Sequence, residues 1–196
     1  MKHLAVFLLI FFGLNLAFNV NADDIENFQI EKISIGDSLL DHFSIKFINK
    51  NKKPVKVGKK KFKEYNVVYK KKDNQVYDLV RLVFRTDNTK YIISEIIGRK
   101  YYKNNINQCY KTQNIISNNI EKSLQNSEKI ETGIIKNKSY PNGDSYIKDM
   151  FFYLNNKDII SINCYDYSKK DTRSKDRLNV KFFTREYLDW NLSKQK

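Results

Sequence analysis

Short β-rich runs separated by turn-forming residues constrain the fold of this chain more than any other feature of its sequence. Each run is rich in valine, isoleucine, tyrosine or phenylalanine, and clusters of asparagine, aspartate, glycine and lysine divide the neighbouring runs. A group of three runs is followed by a group of four, at residues 63–70, 76–85, 91–101, 129–136, 146–154, 158–165 and 178–183. Strands joined by such short turns predict a mainly antiparallel sheet.

Two segments have helical periodicity, one before each group of strands. Apolar residues at helical spacing predict a first helix over 38–49, with Asp37 as its N-cap. A second apolar stripe predicts a helix over 105–124. A short strand over 30–35 and a last helical turn over 186–191 complete the pattern. The main order, α-βββ-α-ββββ, predicts an α+β fold in which two helices pack on the sheet.

The first 22 residues have the pattern of a secretory signal peptide. Lys2 and His3 precede an almost unbroken apolar run over 4–18, and Ala22 ends a small-residue cleavage pattern. The alternative is an N-terminal membrane anchor, but the run is shorter than the ~20 residues that span a bilayer. We therefore expect cleavage near Ala22 and a soluble mature chain, 23–196, that is secreted or periplasmic and has no stable membrane span.

The mature chain is predicted to form a single α+β domain. Because each group of strands follows a helix, the halves 23–104 and 105–196 would correspond if the chain were a diverged two-fold repeat. One continuous sheet fits the order of elements equally well, and no residue-level similarity connects the halves.

The chain has two cysteines, Cys109 and Cys164. In an exported protein, an oxidising compartment and an even count favour one disulfide between them. The alternative is a pair of buried free thiols. A bond across their separation of 55 positions would stabilise the fold by roughly 4 kcal/mol in the chain-entropy model.

The formal net charge of +14 is concentrated in one segment. Residues 46–72 hold twelve lysines and one acid, Glu64, around the turn signals Pro54 and Gly58. Such a block is typical of a solvated loop or hairpin face, and the functional alternative is contact with an anionic surface. The lysines assigned to this candidate surface are Lys52, Lys53, Lys59, Lys60, Lys61, Lys70, Lys71 and Lys72.

A nucleic-acid partner is not predicted, despite the basic charge. Lysine outnumbers arginine 30 to 6, in a composition rich in residues with AT-rich codons. Part of the charge therefore reflects codon bias, since phosphate recognition favours the planar fork of arginine. The export signal argues in the same direction.

No catalytic or metal-binding motif stands out in the sequence. The mature chain has one histidine, His42, which is too few for a zinc site or a histidine-based nucleophilic triad. Carboxylates are paired at Asp37 with Asp41 and at Asp166 with Asp171, but the first pair suits a helix N-terminus. We therefore expect a protein that is not an enzyme and has no catalytic residues, metal or cofactor.

Aromatic residues recur along the predicted strands. Tyr101, Tyr153 and Tyr165 either face the core or form an exposed row. A core role is usual for such side chains, whereas an exposed row beside lysines would stack bases or sugars.

Three stretches, at residues 30–40, 104–110 and 164–168, carry a resemblance to known proteins (IEKISIGDSLL, NNINQCY and CYDYS). They are similar to a family of small exported proteins of unassigned function from AT-rich, small-genome marine bacteria. The resemblance covers nearly the whole mature chain and implies a Gram-negative periplasm, without implying an activity, a cofactor or binding residues. A fainter likeness, in residues 35–38 opening a helix before strands, is to small outer-membrane assembly lipoproteins.

The sequence thus predicts a non-catalytic binding or adaptor module of the periplasm. Its expected partner is an anionic envelope component, such as lipid headgroups or polysaccharide, contacted by the lysine-rich hairpin. The alternative is an envelope assembly or inhibitor module that recognises another protein through its sheet. An enzyme of unknown class is the third alternative.

Overall fold

The computed structural model describes residues 24–57, 60–70, 75–85, 89–103, 105–124, 126–137, 144–168 and 175–193. Within them the fold is α+β and is dominated by one nine-stranded antiparallel sheet, which confirms the predicted fold class. The predicted signal peptide, residues 1–22, lies outside the described residues. No helix in the described ranges is long and apolar enough to cross a membrane.

The described ranges contain one 3-10 turn, four α-helices and eleven strands. The helical elements are the 3-10 turn Ile25–Asn27, α1 (Leu39–His42), α2 (Ile45–Asn51), α3 (Ile106–Ser123) and α4 (Arg185–Ser193). The strands are β1 (Gln29–Ile30), β2 (Ile33–Ser34), β3 (Lys53–Val57), β4 (Lys60–Lys70), β5 (Leu79–Arg85), β6 (Ile93–Tyr101), β7 (Glu128–Glu131), β8 (Ile135–Lys136), β9 (Tyr146–Tyr153), β10 (Ile159–Asp166) and β11 (Arg177–Phe183).

The large sheet is built from both edges toward its centre. Its strand order is β3-β4-β5-β6-β11-β10-β9-β7, and β8 also pairs with β9. The strands β3 to β6 therefore run from one edge inward, β7 to β11 run inward from the other, and β6 meets β11 in the middle. Helices α1 and α2 precede the first set, and α3 precedes the second. This order of elements is compatible with a two-fold repeat, which stays a prediction.

One face of this sheet carries the main hydrophobic core. Alternate residues of adjacent strands, such as Leu82, Ile96 and Ile162, are fully buried there. They pack against α1, α2 and α3, which contribute Leu39 and Ile48 among others. Because successive side chains of a strand point to opposite faces, the residues between them form a second, separate face.

The disulfide between Cys109 and Cys164 is present, as predicted from the sequence. It joins α3 to β10, with 6.0 Å between the two Cα atoms. Both residues are fully buried in the main core. The helix is therefore covalently fixed to the centre of the second set of strands.

The predicted first helix is broken into α1 and α2. Phe43 is extended (φ −141°, ψ 143°), and the side chain of Ser44 accepts a hydrogen bond from the Phe47 amide and so starts a new helix. The N-cap of α1 is Ser38 and not Asp37, because the Ser38 hydroxyl accepts from the Leu40 amide. Apolar spacing alone does not reveal such a break, because the apolar residues of both helices face the same side.

Three predictions about the strands also need revision. The predicted strand over 129–136 is two separate strands, β7 and β8, which both pair with β9. The predicted strand over 30–35 is the small hairpin β1–β2, whose turn places Glu31 and Lys32 at positive φ of 55° and 67°. The predicted basic loop around Pro54 begins with the strand β3. Proline is tolerated there because β3 is an edge strand, and the pairing shifts register beside Pro54.

Candidate functional site

Among the residues that the structure describes, the sheet face opposite the main core is covered only in part. Helix α4 packs over one end of it. There Tyr187 forms a small hydrophobic cluster with Val55 and Val83, and Phe183 and Trp190 pack against this cluster. Beyond α4, side chains of five neighbouring strands form what we call the open face. Its members are Arg81, Glu95, Ile97, Arg99, Tyr101, Ile147, Asp149, Phe151, Tyr153, Ser161, Asn163, Tyr165, Arg177, Asn179 and Lys181.

A row of polar side chains crosses the floor of the open face. The strand registers align Arg99, Asn179, Asn163 and Asp149 on β6, β11, β10 and β9. Arg99 Nε donates to Asn179 Oδ1 at 3.1 Å, and Asn163 Nδ2 donates to Asp149 Oδ1 at 2.6 Å. Both asparagines are only 3% exposed. Hydrogen bonds of this kind fix the side chains of the floor in one arrangement.

The open face is positively charged. It carries the cations Arg81, Arg99, Arg177 and Lys181 but, among its described side chains, only the acids Glu95 and Asp149. Glu95 is nearly buried and accepts from Arg81 at 2.6 Å. Burial raises the pKa of Asp149 above its usual value, and the Asn163 hydrogen bond and the nearby Lys181 offset only part of this rise. Both acids therefore already have partners within the protein, Arg81 for Glu95 and Asn163 for Asp149. The open face keeps an excess of two positive charges.

A second row combines tyrosines with an arginine. Tyr101, Arg177 and Tyr165 are paired in register on β6, β11 and β10. The guanidinium carbon of Arg177 lies 4.9 Å from the ring centroids of both Tyr165 and Tyr167, whose rings stack 6.0 Å apart. We call these four residues the Arg177 cluster. Its row continues along β9 and β8 through Ile147 to Ile135, which is 48% exposed.

The structure distributes the predicted tyrosine row over the open face. Tyr101 and Tyr165 flank Arg177 in one row, and Tyr153 lies on the same face at the far end of β9. All three are half-buried. Sequence reasoning missed Arg177, although arginine is rare in this chain and three of its six arginines, with Arg81 and Arg99, lie on this face.

The predicted lysine surface is an edge hairpin, formed by β3 and β4. Lys53 is exposed, whereas Lys52 donates to Asn49 at 2.8 Å and lies 5.6 Å from the Tyr65 ring. Residues Lys59, Lys71 and Lys72 lie outside the described residues, as do the side chains of Lys60, Lys61 and Lys70. The backbone of β4 separates Lys60 from Lys70 by roughly 30 Å.

The carboxylate and histidine candidates do not converge on a catalytic centre. His42 Nε2 lies 2.9 Å from Asp37 Oδ2, which also accepts from the Ser34 amide. Burial and the neighbouring Asp176 raise the pKa of Asp166, and Asp171 lies outside the described residues. In the described part of the chain, no three histidine, cysteine, aspartate or glutamate residues are grouped to hold a metal ion.

Comparisons with protein-family models, with curated proteins and with solved structures find no match for this chain.

Proposed function

We propose that this protein is a non-catalytic binding module of an oxidising extracytoplasmic compartment, such as a periplasm, and that it recognises another protein through its open face. The disulfide supports the compartment, since such bonds persist where thiols are not kept reduced. The signal-like N-terminus and the resemblance to exported proteins point to the same compartment.

The observation that carries the proposal is the composition of the open face. Half-buried tyrosines, a phenylalanine and arginines stand on a floor of hydrogen-bonded asparagines. Tyrosine and arginine are enriched at protein interfaces and dominate their binding energy. A floor that is already fixed reduces the entropy that binding would cost.

We expect a photo-crosslinker to capture a partner from the open face only. Benzoylphenylalanine in place of Phe151 should yield a discrete crosslinked species in the envelope of an expressing cell. The matched control is the same probe at Ile115, which is 54% exposed on α3 on the opposite side of the sheet. Changing the eight hairpin lysines to serine should leave the Phe151 crosslink unchanged.

Equal crosslinking from both positions would contradict a role for the open face. Loss of the Phe151 crosslink in the serine variant would instead assign recognition to the hairpin.

The second candidate function is contact with an anionic envelope surface through the β3–β4 hairpin. It is favoured by the position of the hairpin at the sheet edge, where Lys53 is exposed. Lysines at such a surface are attracted by Coulomb forces that salt screens within about 10 Å. Lipid headgroups or polysaccharide would be the partner.

For this candidate we expect binding to anionic vesicles that falls steeply between low and physiological salt. Changing Lys53, Lys59, Lys60 and Lys61 to serine should weaken it roughly 100- to 1,000-fold, at about 1 kcal/mol for each lysine. The control changes four exposed lysines elsewhere, namely Lys103, Lys111, Lys122 and Lys136. Equal retention on neutral and anionic vesicles, or equal loss in both variants, would exclude the hairpin as the contact.

A further inference from the structure

We propose that the Arg177 cluster is a carboxylate-binding site and that the partner presents an acidic, extended segment to it. This inference rests on the proposed function and names the chemistry of the partner. Among the described residues, no acid forms an ion pair with Arg177, although the fold holds its side chain in place.

Arg177 differs from the other arginines whose side chains are described. Arg81 pairs with Glu95, Arg185 pairs with Asp189, and Arg99 donates to an asparagine. Among the described residues, Arg177 has no ion-pair or hydrogen-bond partner. Its Nε is buried without an acceptor, as is the Nε of Arg81. A buried donor that stays unpaired destabilises the free protein, so the fold keeps Arg177 in place at a cost. The residue as a whole is half-buried, and a ligand would reach the guanidinium at its terminal nitrogens, which are not among the buried unpaired atoms.

The neighbours of Arg177 orient its guanidinium for a ligand. Contact with the rings of Tyr165 and Tyr167 holds the planar group by cation–π attraction. Neither ring neutralises the charge. A carboxylate matches the arginine fork with two parallel hydrogen bonds, which lysine cannot offer.

The row beyond Arg177 favours a protein segment over a lipid or a free anion. From Arg177 the row passes Tyr165 and Ile147 and reaches the exposed Ile135 on β8. Three strand spacings of about 4.8 Å separate β11 from β8, which is roughly 14 Å. An extended chain covers that distance in about four residues, and side chains four positions apart share one face.

The expected ligand is therefore an acidic residue followed four positions later by an apolar one. Its carboxylate would meet Arg177, and its apolar side chain would cover Ile147 and Ile135. The positive excess of the open face adds long-range attraction for such a segment.

The test is an NMR titration of the disulfide-bonded protein, observed at the Nε–H resonance of Arg177. The probe is the peptide acetyl-ETSTI-amide, and its matched control is acetyl-QTSTI-amide. We expect a saturable shift with the first peptide and at least about tenfold weaker binding of the second, as for loss of a charged hydrogen bond.

Variants separate a specific site from general charge. Arg177→Gln should weaken binding of the glutamate peptide by at least about tenfold. Arg177→Lys should weaken it less, because lysine keeps the positive charge but lacks the planar fork of arginine. Arg185→Gln removes an equal charge from the exposed surface of α4 and should change binding less than about twofold. A thermal melt of each variant establishes whether it is folded. If Arg177→Gln does not fold, the binding measured with Arg177→Lys tests the site instead.

Equal binding of both peptides, or equal weakening by the two glutamine variants, would overturn the carboxylate site. Stronger binding of inorganic phosphate or of phosphatidylglycerol vesicles at Arg177 would also overturn it, in favour of those anions. If Phe151 crosslinks a partner while the peptide fails, the proposed function stands and this inference falls. If the peptide binds at Arg177 and no open-face crosslink forms, the site stands and the proposed function falls.

Discussion

Replacing both Cys109 and Cys164 by serine is expected to lower the free energy of unfolding by about 4 kcal/mol. The disulfide closes a loop between residues 55 positions apart, which restricts the unfolded chain far more than the folded one. In a chain of this length the loss corresponds to a melting temperature lower by roughly 8–16 °C. Chemical denaturation of the oxidised protein and of the variant measures it directly.

The matched control is the same natural chain after reduction with dithiothreitol. Reduction opens the loop but leaves both sulfur atoms in the core, so it separates the cross-link from the packing of the thiols. The reduced protein should lose most of the 4 kcal/mol. A loss below about 1 kcal/mol on reduction would show that the cross-link contributes little and that any effect in the serine variant comes from packing.

The sequence contains enough local information to predict the element types and the disulfide. Alternation of residues such as Val80, Leu82 and Phe84 marks a strand with one buried face, and the structure buries all three. The cysteine pairing followed from count and compartment alone. Boundaries failed where a side chain overrides periodicity, as Ser44 does by starting α2.

The open face was not predictable in the same way, because its rows combine distant segments. Tyr101, Tyr165 and Arg177 become neighbours only because β6 pairs with β11 and β11 pairs with β10. That strand order is not written in any local pattern. The positions of Asn163 and Asn179 were equally unpredictable, since a polar residue in a strand is normally expected to face solvent.

The rarity of arginine was the one usable signal for the open face. In a chain where codon bias favours lysine, an arginine at an alternating strand position indicates a need for its planar fork. The lysine block stays a prediction. Its residues are close in sequence, and the strand β4 carries Lys60 and Lys70 at its two ends.

One polar residue inside the apolar stripe of α3 also has a structural role that periodicity does not predict. Gln113 is fully buried one turn after Cys109, and its Nε2 donates to the carbonyl oxygens of Ile162 at 2.7 Å and Lys148 at 2.9 Å. The side chain thus holds α3 against β10 and β9. Those two strands carry Asn163 and Asp149 on the open face, so this contact supports the floor of the candidate site from behind.

Gln113→Glu is therefore expected to destabilise the protein by about 3–5 kcal/mol at pH 7. The ionised side chain cannot donate, so a buried charge would face two carbonyl oxygens. Burial raises the pKa of the introduced carboxyl above its unfolded value of about 4.3, so the folded state binds the proton more tightly. The loss relative to the natural protein should be small below about pH 4 and should grow as the pH rises, because only the protonated carboxyl can still donate one hydrogen bond.

Urea denaturation of this variant at pH 4 and pH 7 measures the effect, with Gln113→Leu as the control of similar volume. The leucine removes both donors without adding a charge, so its loss should be about 1–3 kcal/mol and equal at the two pH values. Equal losses in both variants at both pH values would show that the Gln113 side chain is solvated. The difference between the variants at pH 7 isolates the buried charge, and the leucine loss alone measures how firmly α3 holds the strands beneath the open face.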